Sequence, residues 1–170
     1  MKKSFVKVAF VKYFVYLCAQ DICLNMKFME SLMITQIPND DSLESIKIRE
    51  GIIRDFYREW KEKNPSQRKY NISLKDYINI RMVSIIETSE HAAKNYLSTL
   101  AVMQLDSILA GAKKVSIQKT KSGSKNQKPF ERIMIMEYEI TCICKVKMTV
   151  GIRRRTHEKV QYCITVIRNE

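Results

Sequence analysis

KVKMTVGIRRRTHEKVQYCITVIR, residues 145–168, is the stretch whose reading decides the fold. Val146, Met148, Val150 and Ile152 alternate with more polar residues, and so do Val160, Tyr162, Ile164 and Val166. Apolar residues at every second position mark a half-buried strand. Both sets face one core only if the connecting turn has an odd number of residues. A three-residue turn at Thr156–Glu158 satisfies this. It predicts Ile152 opposite Tyr162 and Val150 opposite Ile164. The other face then carries Lys145, Lys147, Thr149, Arg153 and Arg155 beside Gln161, Cys163 and Thr165. That is a cationic, hydroxyl-bearing sheet surface.

Working outward, RIMIMEYEI (132–140) and VSIQ (115–118) read as two further strands. Between them KTKSGSKNQKP (119–129) is a loop with four lysines and no acid. Upstream the period changes to that of a helix. Ile46, Ile53, Phe56, Tyr57 and Trp60 recur at helical spacing between the Pro38–Asp41 stop-and-cap residues and Asn64-Pro65. Ser73-x-x-Asp76 has the form of a capping box and predicts a short helix from Leu74 to about Arg81. Thr88 or Ser89 is expected to cap one long helix reaching Ala110, with Gly111 as its stop. The expected fold class is α+β, with helices over 39–110 followed by a sheet over 115–168. The sheet is roughly four-stranded and antiparallel, and a long central helix packs on one face. Residues 29–170 form one domain in this reading, and residues 1–28 are an N-terminal extension.

The formal charge is +12, and it is unevenly spread. Residues 112–159 hold thirteen basic and four acidic residues, whereas 29–111 are close to balance. A basic block of this kind suggests a polyanion or an acidic surface as partner. The plainer reading is a solvated face that aids solubility. The five cysteines are odd in number and lack metal-ligand spacing, so a reducing compartment is expected, with neither a disulfide framework nor a zinc site. The longest uncharged stretch near the N-terminus, Tyr13 to Gln20, is too short to span a bilayer. A cytoplasmic protein without a membrane partner is the expectation.

Sequence signatures of several chemistries are missing: no P-loop, nucleophile elbow, HExxH or dinucleotide fingerprint occurs. No metal or cofactor is therefore expected. RNA supplies its own nucleophile, the 2′-hydroxyl. A protein that cuts it needs a base, an acid, and cations around the phosphorane. His91 or Glu87 suits the proton transfers, because histidine as a class titrates near neutrality. Arg153 is the candidate catalytic cation, and Thr165 or Tyr162 the group that orients the phosphate. Lys119, Lys121, Lys128, Lys147, Arg154 and Arg155 are the candidate nucleic-acid contacts. On helical geometry His91, Asn95 and Ser98 share one narrow polar stripe. Each residue also has a plainer role. His91 suits a helix start, Tyr162 a core position with its hydroxyl at the rim, and the arginines a blunted sheet edge.

The segments LDSILAGAKKVSIQKT, FERIMIMEYEI, KVKMTVGIRR and EKVQYCITVI together resemble the barnase–EndoU–colicin–RelE-like nuclease superfamily. The closest likeness is to variants found in polyvalent proteins of phages and conjugative elements. The resemblance covers about residues 87–168. It implies a sheet-borne active face, metal-free RNA cleavage, and His91, Arg153, Arg154 and Thr165 as site residues. It also implies a small protein of a mobile genetic element, either a ribonuclease or a non-catalytic module that binds RNA, DNA or a protein partner such as an antitoxin.

Overall fold

The computed structural model describes residues 37–121, 123–140 and 143–167. The expectation for residues 1–28 lies outside them. The first helix, α1 (Leu43–Lys63), starts where Ser42 Oγ accepts the Ser45 amide at 3.1 Å, and it ends at Asn64. Its apolar stripe buries Ile53, Tyr57 and Trp60.

A hairpin follows in place of the helix expected at Leu74–Arg81: β1 (Arg68–Asn71) and β2 (Asp76–Asn79) pair antiparallel. The Ser73-x-x-Asp76 signal is overridden by Asn71. Its Oδ1 accepts the Leu74 amide at 2.8 Å, which shapes the hairpin turn, and Lys75 completes that turn at φ 51°. Its Nδ2 donates to the carbonyls of Leu109 and Ala112 at 2.8 and 3.0 Å. Asp76 pairs with Lys159 and accepts the Tyr77 amide at 2.7 Å, and it starts a strand rather than a helix.

The expected single central helix is three: α2 (Met82–Ala92), α3 (Tyr96–Val102) and α4 (Leu105–Gly111). Thr88 and Ser89 are mid-helix. The break comes at Asn95, which leaves helical geometry and caps α3 by accepting the Ser98 amide at 2.9 Å. Carbonyls at the break find other partners: Ala93 accepts Arg49 Nε at 2.7 Å, and Ala92 accepts the Thr99 hydroxyl at 3.2 Å. The polar stripe drawn through His91, Asn95 and Ser98 therefore does not exist.

The remaining strands are β3 (Lys113–Lys119), β4 (Phe130–Ile140), β5 (Cys144–Arg153) and β6 (Lys159–Ile167). The sheet has six strands rather than four, in the order β1-β2-β6-β5-β4-β3. It is mixed, because β2 runs parallel to β6 through Ile78↔Lys159 and Asn79↔Val160. One face packs under the helices, with Met134, Met136, Val146, Met148, Val150 and Ile164 beneath Tyr57, Leu105 and Leu109. Each such side chain contributes about 1.5–3 kcal/mol by leaving water.

The register of β5 and β6 differs from the expected one. Ile152 pairs with Lys159 and Val150 with Gln161, after which Thr149 pairs with Cys163. Tyr162 is the extra residue of a β-bulge. Beyond it the parity matches the alternation: Ile164 lies on the core side, and Lys147 pairs with Thr165 on the open side. At the bulge it is reversed. Gln161 turns under the helices, and Tyr162 joins Phe130, Ile133, Ile135 and Val160 in a second apolar cluster on the open face.

Arg49 is fully buried on α1, and it ties the start of that helix to the α2–α3 break. Besides Ala93, its guanidinium donates to the carbonyls of Pro38 and Asp40 at 2.8 and 2.7 Å. Charged hydrogen bonds contribute about 1.5–3 kcal/mol each, so Arg49→Met should cost about 3 kcal/mol or more. Urea unfolding checks this; a loss under about 1 kcal/mol would show that these bonds do not hold the α2–α3 junction.

Candidate functional site

A cleft of about 480 Å³ opens on the free face of the sheet. Its floor is Ile133, Ile135, Lys147, Thr149, Cys163 and Thr165, and its walls bring in Glu87 and His91 from α2. The far side is the end of β3 with Lys119, and then the basic loop with Lys121, Ser124 and Gln127. The loop arches across β4, β5 and β6, since Asn126 Nδ2 donates to Glu87 Oε1 at 2.5 Å. Gly123 turns it at φ 85°.

Strand β6 holds α2 in place. Gln161 is fully buried and bonded at both ends of its amide: its Oε1 accepts the Tyr57 hydroxyl at 2.9 Å, and its Nε2 donates to Thr88 Oγ1 at 2.9 Å. Ser84 Oγ donates to the Gln161 carbonyl at 2.5 Å, and the Cys163 thiol donates weakly to the Glu87 carbonyl at 3.6 Å. The core side of α2 is thus tied down. Glu87 and His91, one turn apart, lean over the strand edge into the cleft.

The Glu87 side chain is 8 % exposed and the His91 side chain 51 %. His91 Nε2 stands 3.6 Å from Glu87 Oε2. That is longer than a hydrogen bond in the neutral ring but an ion pair once the ring is protonated. Burial, and then the Glu87 carboxylate beside it, push the Tyr162 hydroxyl up to about 12. Burial and the same carboxylate push the Cys163 thiol up to about 12, against the pull of Lys147. Cys163 is therefore a neutral thiol near neutrality and no thiolate nucleophile. Tyr162 is a neutral hydroxyl that can donate a proton. Its ring is positioned by Phe130, edge to face at 5.9 Å and 90°. Phe130 lies over Gly151, where a Cβ would come within 2.5 Å of its ring.

The cations divide into two groups. Lys119, Lys121 and Lys147 line the cleft and make no ion pair among the described residues. The cleft thus holds three such lysines and one buried carboxylate, Glu87. Of the sequence candidates, Glu87, His91, Tyr162 and Thr165 join these three lysines in the cleft. Arg153, Arg154, Arg155 and Lys128 do not line it. Arg153 sits at the end of β5, with Nε 3.4 Å from Glu158, and Arg154 Nε donates to the Lys128 carbonyl at 3.2 Å. They form the β5–β6 turn and its neighbour. Sequence reasoning missed Asn126, Ser124 and Gln127, having read the loop only as a flexible lysine tract. Gly123, Asn126 and Pro129 are turn-formers that signalled a shaped loop. Among the described residues no group of three His, Cys, Asp or Glu side chains could hold a metal ion, and no helix is long and apolar enough to cross a membrane.

Compared with protein-family models, curated proteins and solved structures, the chain matches none.

The raised Tyr162 and Cys163 values set a pH dependence. Both folded-state values exceed the ordinary 10.0 and 9.0, so folding favours the neutral forms. This stability is fully present below about pH 9 and is lost as pH rises toward about 12. A phenylalanine cannot ionise, so Tyr162→Phe should lose less stability than the native chain between about pH 9 and about pH 11.5. Equal losses in urea titrations at the two pH values would place the Tyr162 hydroxyl in water.

Proposed function

We propose that the open-face cleft binds RNA and cleaves it through its own 2′-hydroxyl, without requiring a metal ion. One observation carries this reading. A histidine–carboxylate pair, a neutral tyrosine hydroxyl and three unpaired lysines converge on a single groove of about 480 Å³. A polyanion fits three free cations, and proton-transfer groups set beside them fit a phosphodiester with an internal nucleophile.

The step balances with these groups alone. His91 takes the 2′-hydroxyl proton through the ring nitrogen that does not face Glu87. The 2′-oxygen attacks phosphorus, and the bond to the 5′-oxygen breaks. Tyr162 donates its proton to that leaving oxygen, which is more basic than the tyrosinate formed. Glu87 stabilises the imidazolium, and Lys147 with Lys119 and Lys121 stabilises the charge on the phosphorane oxygens. Thr165, paired with Lys147 across the strands, can donate to a phosphate oxygen. The products are a 2′,3′-cyclic phosphate and a 5′-hydroxyl. His91 then returns its proton to solvent, and Tyr162 regains one. This reading agrees with the nuclease-superfamily resemblance in using a sheet-borne site. It departs from it by drawing on Glu87 and Tyr162 in place of Arg153 and Arg154.

The test is cleavage of RNA in excess chelator, with the ends identified. Native protein should leave 2′,3′-cyclic phosphates and spare 2′-deoxy substrates. His91→Ala should lower the rate about 10²–10⁴-fold, as removal of a general base does. Arg155→Gln, outside the cleft, should change it by less than about threefold. Full activity of the His91 variant, or cleavage of the deoxy strand, would remove this mechanism. Salt-dependent RNA binding without any cleavage would instead leave a non-catalytic nucleic-acid module, the reading that the same lysines support next best.

A further inference from the structure

The β1–β2 hairpin carries an aromatic pair that the cleft does not use. Tyr70 stands opposite Tyr77 in the register, so both rings share one face. It is the open face of the sheet. Asn79 pairs in parallel with Val160, which belongs to the open-face cluster, while Ile78 and Asn71 point to the buried side. The rings meet edge to face at 5.4 Å and 73°, and the Arg68 guanidinium lies 4.5 Å from the Tyr77 centroid. Tyr70 is 46 % and Tyr77 44 % exposed. Arg68 makes no ion pair among the described residues, and the hairpin's acid, Asp76, is taken by Lys159.

A cross-strand tyrosine pair by itself accounts for some hairpin stability. The guanidinium adds a cation–π contact to one of the rings, and all three groups lie on the sheet face that carries Lys147 and Thr165 of the cleft. Exposed rings and a guanidinium plane are the surfaces on which unpaired bases stack. In a duplex those faces are occupied by neighbouring pairs. We propose that Arg68, Tyr70 and Tyr77 form a stacking platform for single-stranded RNA, gripping bases that flank the phosphate held in the cleft. This rests on the cleft being an RNA site, and it narrows the substrate to single strands.

The experiment measures anisotropy of a labelled 2′-O-methyl oligouridylate of about 12 nucleotides, which binds but cannot be cut. Tyr70→Leu with Tyr77→Leu should weaken binding about 5- to 150-fold, the effect of losing one stacked base. Tyr70→Phe with Tyr77→Phe should bind like the native chain. Binding of a duplex and cleavage of a dinucleotide, too short to reach the hairpin, should be unchanged by either pair. Single-strand affinity within about twofold of native in the leucine pair would overturn the platform and leave the cleft standing. Tyrosine-dependent binding of that strand, with no cleavage of unmodified RNA by the native protein, would overturn the catalytic reading and leave the platform standing. No binding by the native chain would overturn both. Photo-crosslinking of a 4-thiouridine strand to the native protein gives the same answer without a variant. Adducts at Tyr70 or Tyr77 support the platform, and adducts confined to other residues sink it.

Discussion

The structure turns on one extra residue in β6. The bulge at Tyr162 lets two neighbours, Gln161 and Tyr162, trade the faces that strict alternation would give them. A buried glutamine amide is costly unless its hydrogen bonds are made, and here both ends are satisfied by Tyr57 and Thr88. That buried triad joins α1, α2 and β6, and it sets the rotation of α2 about its axis. The outward turn of α2 then delivers Glu87 and His91 to the cleft. The same bulge sends the Tyr162 ring to join them, supported by Phe130 over Gly151.

Much of the sheet was legible in the sequence because β5 alternates along its length, β6 alternates beyond its bulge, and β4 carries an unbroken apolar run, Ile133–Met136. Lys147, Thr149, Cys163 and Thr165 were placed on the open face from alternation alone. The bulge was not legible, since a turn of odd length gives the same parity at the far ends of the strands. Only the hydrogen bonds of Gln161 distinguish the two registers. The helical half was harder. The run from Ala92 to Leu109 is apolar enough to read as one helix, and its break depends on Arg49, more than 40 residues upstream, reaching the Ala93 carbonyl. The β1–β2 hairpin was hidden by a local capping signal that the long-range bonds of Asn71 override.

Position in the fold separates the two basic regions better than charge density does. The RRR run at 153–155 is the densest stretch of cations in the chain, yet it sits at the β5–β6 turn and does not line the cleft. Lysines spaced out in the sequence at 119, 121 and 147 come together without an acid partner, opposite one shielded carboxylate. Counting charges along the chain favoured the arginines. The fold favours the lysines, because β3, the loop and β5 bring them to the lining of one cleft.

The most direct test of this account is to map where RNA touches the native chain. Amide chemical shifts would be followed while a non-cleavable 2′-O-methyl strand is added. The account predicts the largest changes at Lys119, Lys121, Lys147, Thr165 and His91, the residues of the open-face cleft. Changes confined to Lys128 and Arg153–Arg155, with the cleft silent, would contradict it.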